Sequence, residues 1–340
     1  MNSSEETASS QEAASNEEAA ARRPAGKTLS RVPPAAFFVT SAIFHYLGPS
    51  FAVLLFPHVD APGVAWMRIA TAAIVFAGWR RPWRLLRRLA GRQRLVLLGL
   101  GAVLAAMNTV FYLAIARLPL STVGAIEFLG TIVLAALGAR TRRNLAALIL
   151  AVSGVAALTD IRLVEQPLGF GFAFANCGLF MLYIILGHRI ATTGSGGRPS
   201  DMGRRPMSGI DQLGAAMLVA AVAATPVGIT GAVPAFTHPL WLLWGAGVGV
   251  CSSVIPYVTD QLAMARLPRA TFALMLTLLP ATAIVVGLVV LAQIPTWQDL
   301  LGIGLVITGI AVHHDPPSAG PASTAAPPHS RVPAAVRDQR

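Results

Sequence analysis

Three strongly ionisable side chains, Arg68, Glu127 and Asp260, lie well inside apolar runs of this 340-residue chain. A carboxylate among hydrocarbon costs at least about 2 kcal/mol unless it is protonated, paired or wetted. Desolvation favours the neutral acid, so a proton held there can exchange near physiological pH, in step with the side of a membrane that the acid faces. Glu127 is the candidate for that proton chemistry, and the competing reading is a structural carboxyl hydrogen-bonded to a neighbouring helix. Arg68 presents a planar fork suited to a substrate carboxylate or to Glu127, or else it snorkels from its place shortly after Gly63 to the outer headgroups. Asp260 follows Pro256 and Tyr257. Proline frees the carbonyl one turn earlier, and a freed carbonyl in lipid needs polar neighbours or water, so a local polar cavity is expected there. An ion pair with Arg266 is the other assignment for Asp260. Asn108, Tyr112, Asn176 and Tyr183 add neutral hydrogen-bonding groups for a polar metabolite or for joining helices. His45 suits a proton relay or a polar cap, whereas His313 and His314 read as a solvated helix end.

Long spans must carry these residues. No Asp, Glu, Lys, Arg or His occurs between Arg94 and Arg117, Glu127 and Arg140, Glu165 and His188, Asp211 and His238, or Arg269 and Asp299. A bilayer core takes roughly 20 apolar residues per helix, so the solvent of this fold is lipid. About ten spans are expected, near 34–56, 64–79, 95–116, 120–138, 145–159, 167–187, 212–232, 240–263, 270–291 and 298–313. The second, fifth and tenth are short, and Trp79, Trp83, Trp241 and Trp244 stand where interfacial anchors belong.

Charge sets the orientation. The connections at 80–94, 139–144, 188–210 and 264–269 hold sixteen Arg, against only Arg117 and Arg162 in the alternate ones. By the positive-inside rule both termini are cytoplasmic. Residues 113–123, LAIARLPLSTV, return at 262–272 as LAMARLPRATF, with seven identities in eleven at an offset of 149. The two copies divide the chain into five-helix halves, 33–160 and 161–314. An odd number of spans per half turns the second copy upside down, the inverted repeat that secondary carriers use for alternating access. The ends, 1–32 and 315–340, read as disordered cytoplasmic tails.

The apolar share of 54% and charged share of 12% suit such a bundle, and the net charge of +11 sits in the loops, which argues for a lipid surface and against nucleic acid. Cys177 and Cys251 lie in apolar spans without metal or disulfide spacing and read as core residues. No HExxH, GxSxG, GxxxxGK or CxxC motif is present, so no metal, cofactor or ATP site is expected and the chain does not read as an enzyme.

The segments FPHVDAPGVAWMRIA (56–70), AAMNTVFYLAIARLPLSTVGAIEFLG (105–130) and SSVIPYVTDQLAMARLPRATFALMLTLLPA (252–281) resemble the EamA branch of the drug/metabolite transporter superfamily. The resemblance spans about 35–313 and implies a ten-helix inner-membrane carrier built from two inverted five-helix EamA repeats. It implies proton-driven efflux of small amino acids such as threonine or homoserine, with Arg68, Asn108, Glu127, Pro256 and Tyr257 matching the pattern as they stand. Asp260 replaces a glutamate of the amino-acid-exporting members. Leu279-Pro280 stands where they have Glu-Pro, and Ala292-Gln293 where they have Gly-Glu.

These readings together give an all-α polytopic exporter working by alternating access. Its partners are the bilayer, a small-molecule substrate and protons, and a homodimer is open to it. Glu127 is assigned to proton coupling, and Arg68, Asn108, Tyr112, Tyr183, Pro256, Tyr257 and Asp260 to the substrate pathway. Efflux of drugs or toxic metabolites is the alternative within transport, and a scaffold that moves no substrate is the alternative outside it.

Overall fold

The computed structural model describes residues 33–89, 91–138, 141–159, 165–193, 209–264 and 278–312, and all regular structure among them is helical. In chain order the helices are α1 (Pro34–Leu55), α2 (Ala61–Arg80), a short α3 (Trp83–Arg88), α4 (Gly91–Ile115), α5 (Leu120–Gly138) and α6 (Arg142–Thr159). They continue as α7 (Pro167–Thr193), α8 (Gly209–Thr237), α9 (Pro239–Gly249), α10 (Ile255–Met264), α11 (Leu278–Leu291) and α12 (Trp297–Val312). A five-residue π-helical turn, Val250–Val254, joins α9 to α10. Both tails, the loop 194–208, most of the second repeat copy, Arg162, Arg266, His313 and His314 lie outside the described residues.

Six stretches are long and apolar enough to cross a membrane: Ala36–Leu55, Ala61–Arg80, Gly91–Ile115, Pro167–Gly187, Gly209–Thr237 and Pro239–Asp260. Shorter apolar helices cover Leu120–Leu134, Leu279–Leu291 and Trp297–Val312. The surface matches an apolar solvent. Ile74, Leu95, Val222, Leu243 and Val289 are each about 70% exposed, while Ser41, Ser50, Arg68, Asn108, Asn176, Ser252 and Ser253 are buried. Water would favour the opposite sorting. The chain is an all-helical, polytopic membrane protein.

The second span is not short. Pro62, whose missing N–H costs nothing in a first turn, starts α2 early, and the helix runs on to Arg80, 20 residues in all. That is about 30 Å, a full hydrocarbon thickness. Arg81 then ends it in the left-handed region at φ 52°. α12 begins on a reciprocal cap. The Asp299 carboxylate accepts from the Thr296 N–H at 2.8 Å, and the Thr296 hydroxyl accepts from the Asp299 N–H at 3.2 Å.

Helix pairing follows small residues, which let backbones close up where lipid supplies no hydrophobic push between helices. α2 lies along α8, and a Cβ on Gly63 would overlap the backbone of Gly231. α6 lies along α12, where a Cβ on Gly302 would come within 2.8 Å of the Gly154 carbonyl. α1 packs on α10 and α11, and α7 packs on α4 and α5. α8 packs on α4, and α2 packs on α9 and the π turn.

Candidate functional site

The π turn and the proline after it build one wall of the site. Pro256 has no N–H to give the carbonyl four residues back, which is that of Ser252. Arg68 fills the gap: its Nη2 donates to the Ser252 carbonyl at 3.1 Å, and its Nε donates to the Ser253 Oγ at 2.9 Å. Close contact fixes this wall. A Cβ on Gly249 would lie 2.9 Å from the Arg68 carbonyl oxygen, and one on Gly48 of α1 would lie 2.7 Å from the Ser252 backbone nitrogen. The polar cavity expected beside Pro256 is therefore met, in this structure, by a guanidinium.

Arg68 does not snorkel. It is only 7% exposed, and α2 begins about a turn earlier than the sequence suggests, which places Arg68 deeper in the helix. Nor does it stand at ion-pair distance from Glu127; the arginine of α2 that does take a carboxylate is Arg80, which meets Asp211 at 2.7 Å. The Arg68 charge is answered by neutral oxygens and by the Tyr112 ring of α4, whose centroid lies 5.5 Å from Cζ. The Tyr112 and Ser252 hydroxyls are buried beside it without a hydrogen-bond partner in the described residues. Orphaned buried hydroxyls cost about 1–3 kcal/mol each, so the spot favours a ligand or water that brings partners.

Glu127 of α5 accepts from Asn176 Nδ2 of α7 at 3.0 Å. The helix-to-helix contact foreseen as its structural role thus exists, and the carboxyl is still close enough to Arg68, Tyr46, Cys177 and Tyr257 to interact electrostatically. Ser41 of α1 donates from its Oγ to the Pro256 carbonyl of α10 at 3.3 Å, and the charge of Asp260 is felt by Tyr183 and Tyr257. His45 stands edge-on to Tyr46 at 5.3 Å and within electrostatic reach of Arg68. Asn108 spends its amide on its own helix, donating to the Leu104 carbonyl at 2.8 Å. Tyr257 thus interacts with Arg68, Tyr112, Glu127 and Asp260, and Tyr183 with Tyr257 and Asp260, while Asn108 is bonded within α4.

Three contributors were missed in the sequence. Ser252 and Ser253 were signalled by a Ser-Ser pair one turn before a proline; Ser41 had no signal beyond being a small polar residue. Gln293, which in the sequence reads only as a lost carboxyl, caps the helix that carries Glu127, its Oε1 accepting from the Leu120 N–H at 3.2 Å. Its own N–H closes α11 onto the Gly287 carbonyl at 3.0 Å, across Ala292 at φ 52°. A left-handed alanine costs roughly 1–2 kcal/mol, which a glycine there would avoid. Both cysteines are free thiols.

Comparison with known proteins agrees with this architecture. The EamA-like transporter family matches residues 192–313. The threonine/homoserine exporter RhtA of Escherichia coli (strain K12) is 33% identical over 264 residues, 76% of this chain and 84% of that protein. RhtA of Salmonella typhimurium (strain LT2) is 32% identical over the same shares. One solved crystal structure shares the fold, with a TM-score of 0.51 at 16% identity over 82% of this chain and 96% of the other. With a transporter-family match and relatives a third identical along most of their length, this chain belongs to the EamA-like transporter family.

Proposed function

We propose that this protein is an inner-membrane exporter of small amino acids of the threonine and homoserine kind, driven by protons through alternating access. The observation that carries the reading is Arg68: a buried guanidinium held by a serine hydroxyl and a freed carbonyl, with no carboxylate at ion-pair distance among the described residues. Its charge is available to a substrate carboxylate, and the unpartnered Tyr112 and Ser252 hydroxyls are ready beside it. Glu127 supplies the proton site. Protonated, it leaves Arg68 to the substrate; ionised, it competes for the same charge, and that exchange couples the two fluxes.

Ten spans in two inverted five-helix repeats fit the helix pairing, and the arginine-rich connections put both termini in the cytoplasm. Counting spans as α1, α2, α4, α5, α6, α7, α8, α9 with α10, α11 and α12, the main contacts have counterparts five spans on. α1 on α10 mirrors α7 on α4, α1 on α11 mirrors α7 on α5, and α8 on α4 mirrors α2 on α9 and the π turn. The self-paired α2–α8 and α6–α12 seams fall on the pseudo-axis. Such a design lets one half rock against the other about a fixed mid-membrane site.

The test is metabolite profiling of the medium from cells lacking and overproducing the protein, repeated with Glu127→Gln. A small amino acid rises outside with the protein, and its export rate climbs when the outer face is acidified. In Glu127→Gln the amide keeps the Asn176 contact but cannot carry a proton, so that climb disappears. An extracellular profile indifferent to the protein's level would remove export from the reading, and an unchanged acid response in Glu127→Gln would remove that residue from coupling.

A further inference from the structure

A second site lies away from the polar centre. Where α1 ends, α2 begins, α4 ends and α8 runs through its last turns, a cavity of about 530 Å³ opens, lined by Phe56, Asp60, Leu113, Arg117, Val227 and Thr230 among others. It is at the end of the bundle opposite the arginine-rich α3 connection, hence the extracytoplasmic end under the orientation proposed above. Two opposite charges face the same space without closing on each other: no ion pair between Asp60 and Arg117 occurs within the described residues.

Both charges are held apart. Arg117, in the turn after α4, donates from Nη1 to the Leu113 carbonyl of that helix at 2.9 Å, and its guanidinium lies over the Phe172 ring at 5.3 Å. Asp60 precedes the first turn of α2 but makes no capping bond with its side chain, so the carboxylate remains unspent. Its position is set by the α2–α8 seam, since a Cβ on Gly231 would lie 3.1 Å from the Asp60 Cβ. Phe56, Leu113 and Val227 supply apolar wall between the charges, and Thr230 a hydroxyl. Phe56 also forms the partition toward the centre, its ring meeting Tyr112 edge-on at 6.2 Å.

We infer that this cavity is an outer binding station for zwitterionic α-amino acids, with the ammonium on Asp60, the carboxylate on Arg117 and the side chain against the Phe56 wall. A molecule bearing only one of the two charges leaves one wall charge unanswered and is disfavoured. The volume falls within the roughly 300–1,000 Å³ of pockets for larger ligands, so a small amino acid shares it with water and binds weakly, as an exit station requires. This inference rests on the amino-acid export reading for its ligand class but not for its measurement.

The experiment is direct binding of radiolabelled threonine to the purified full chain in lipid nanodiscs, alongside the cellular export assay. Wild type binds with millimolar-range affinity; N-acetylthreonine and threonine amide compete poorly. Asp60→Asn and Arg117→Gln each weaken binding by about tenfold, the loss of one charge-assisted contact. Arg117→Lys retains most of it, and the Asp60→Arg, Arg117→Asp swap recovers binding lost in either reversed single variant. Unchanged threonine binding in Asp60→Asn and Arg117→Gln, or no saturable binding by wild type, overturns the station even if the cells export the amino acid. Charge-dependent binding without export would instead keep the station and sink the export reading.

Discussion

Arg68 and Arg80 sit on one helix, twelve residues and about 18 Å apart, and their surroundings differ in every respect but the side chain. Arg80, about one-third exposed, takes the obvious partner and closes on the carboxylate of Asp211 at 2.7 Å. Arg68, buried, has no such partner among the described residues and rests on the Ser253 hydroxyl and Ser252 carbonyl of the π turn. Depth explains the contrast. At the membrane edge a carboxylate partner is cheap and the pair is a fastening. In the interior a permanent carboxylate would consume the charge, whereas two neutral oxygens orient the fork and leave its field directed at whatever enters. The arginine that looks less satisfied is the one to which the proposed function gives the substrate carboxylate.

The largest effect that would sharpen this contrast comes from conservative exchange. Arg68→Lys keeps the charge but cannot donate from two rigidly spaced nitrogens to Ser252 and Ser253 at once. Losing one bond to a buried charged group costs about 1.5–3 kcal/mol, so the export rate falls roughly 10- to 100-fold. Arg80→Lys still meets Asp211 and stays within about threefold of wild type, since exposed pairs are worth little. Export per unit of membrane-inserted protein is the measurement. Equal losses at the two positions would erase the distinction drawn between them.

Much of the polar centre was legible in the chain, because a charged side chain in an apolar run has to face inward and there are few of them. Arg68, Glu127 and Asp260 stand out in the sequence that way, and Pro256 announces a free carbonyl. What the freed carbonyl would bind was not legible: Arg68 lies almost 190 residues earlier, and nothing local pairs them. The π turn was hidden as well, since the segment from Pro239 to Cys251 is apolar on all sides and offers no stripe whose phase could show an extra residue. Gln293 read as a loss because sequence reports charge more readily than reach. The outer cavity was invisible for the same reason, Asp60 and Arg117 being ordinary loop-flanking charges until the bundle places them across one space.

A smaller effect tests whether the π turn must sit where it does. A Cβ on Gly249 would lie 2.6 Å from the Thr71 Cβ and 2.9 Å from the Arg68 carbonyl oxygen, so Gly249→Ala pushes α9 off α2 by a few tenths of an ångström. Overpacking of this kind costs about 1–3 kcal/mol, read as a lower unfolding midpoint in detergent, with a partial loss of export as Ser252 and Ser253 move from the fork. Gly247→Ala is the control: nothing lies within 4 Å of a Cβ there, and the change is neutral or stabilising. If Gly249→Ala loosens the fold yet spares export, the serines orient nothing.

The Arg80–Asp211 pair should give the smallest effect, and its smallness is informative. Both partners are 32% exposed. Water and salt then screen most of the attraction, and a double-mutant cycle of Arg80→Gln with Asp211→Asn should return a coupling of about 0.2–1 kcal/mol that shrinks as ionic strength rises. Under the orientation proposed above the pair joins the inner ends of α2 and α8, helices already seamed at their outer ends by Gly63 and Gly231. Under alternating access a fastening at that end has to open on every cycle, so a strong bond would hold the carrier in one state. A measured coupling of several kcal/mol, insensitive to salt, would mean that α2 and α8 move as one rigid body at their inner ends, and the rocking halves would then have to part somewhere other than this seam.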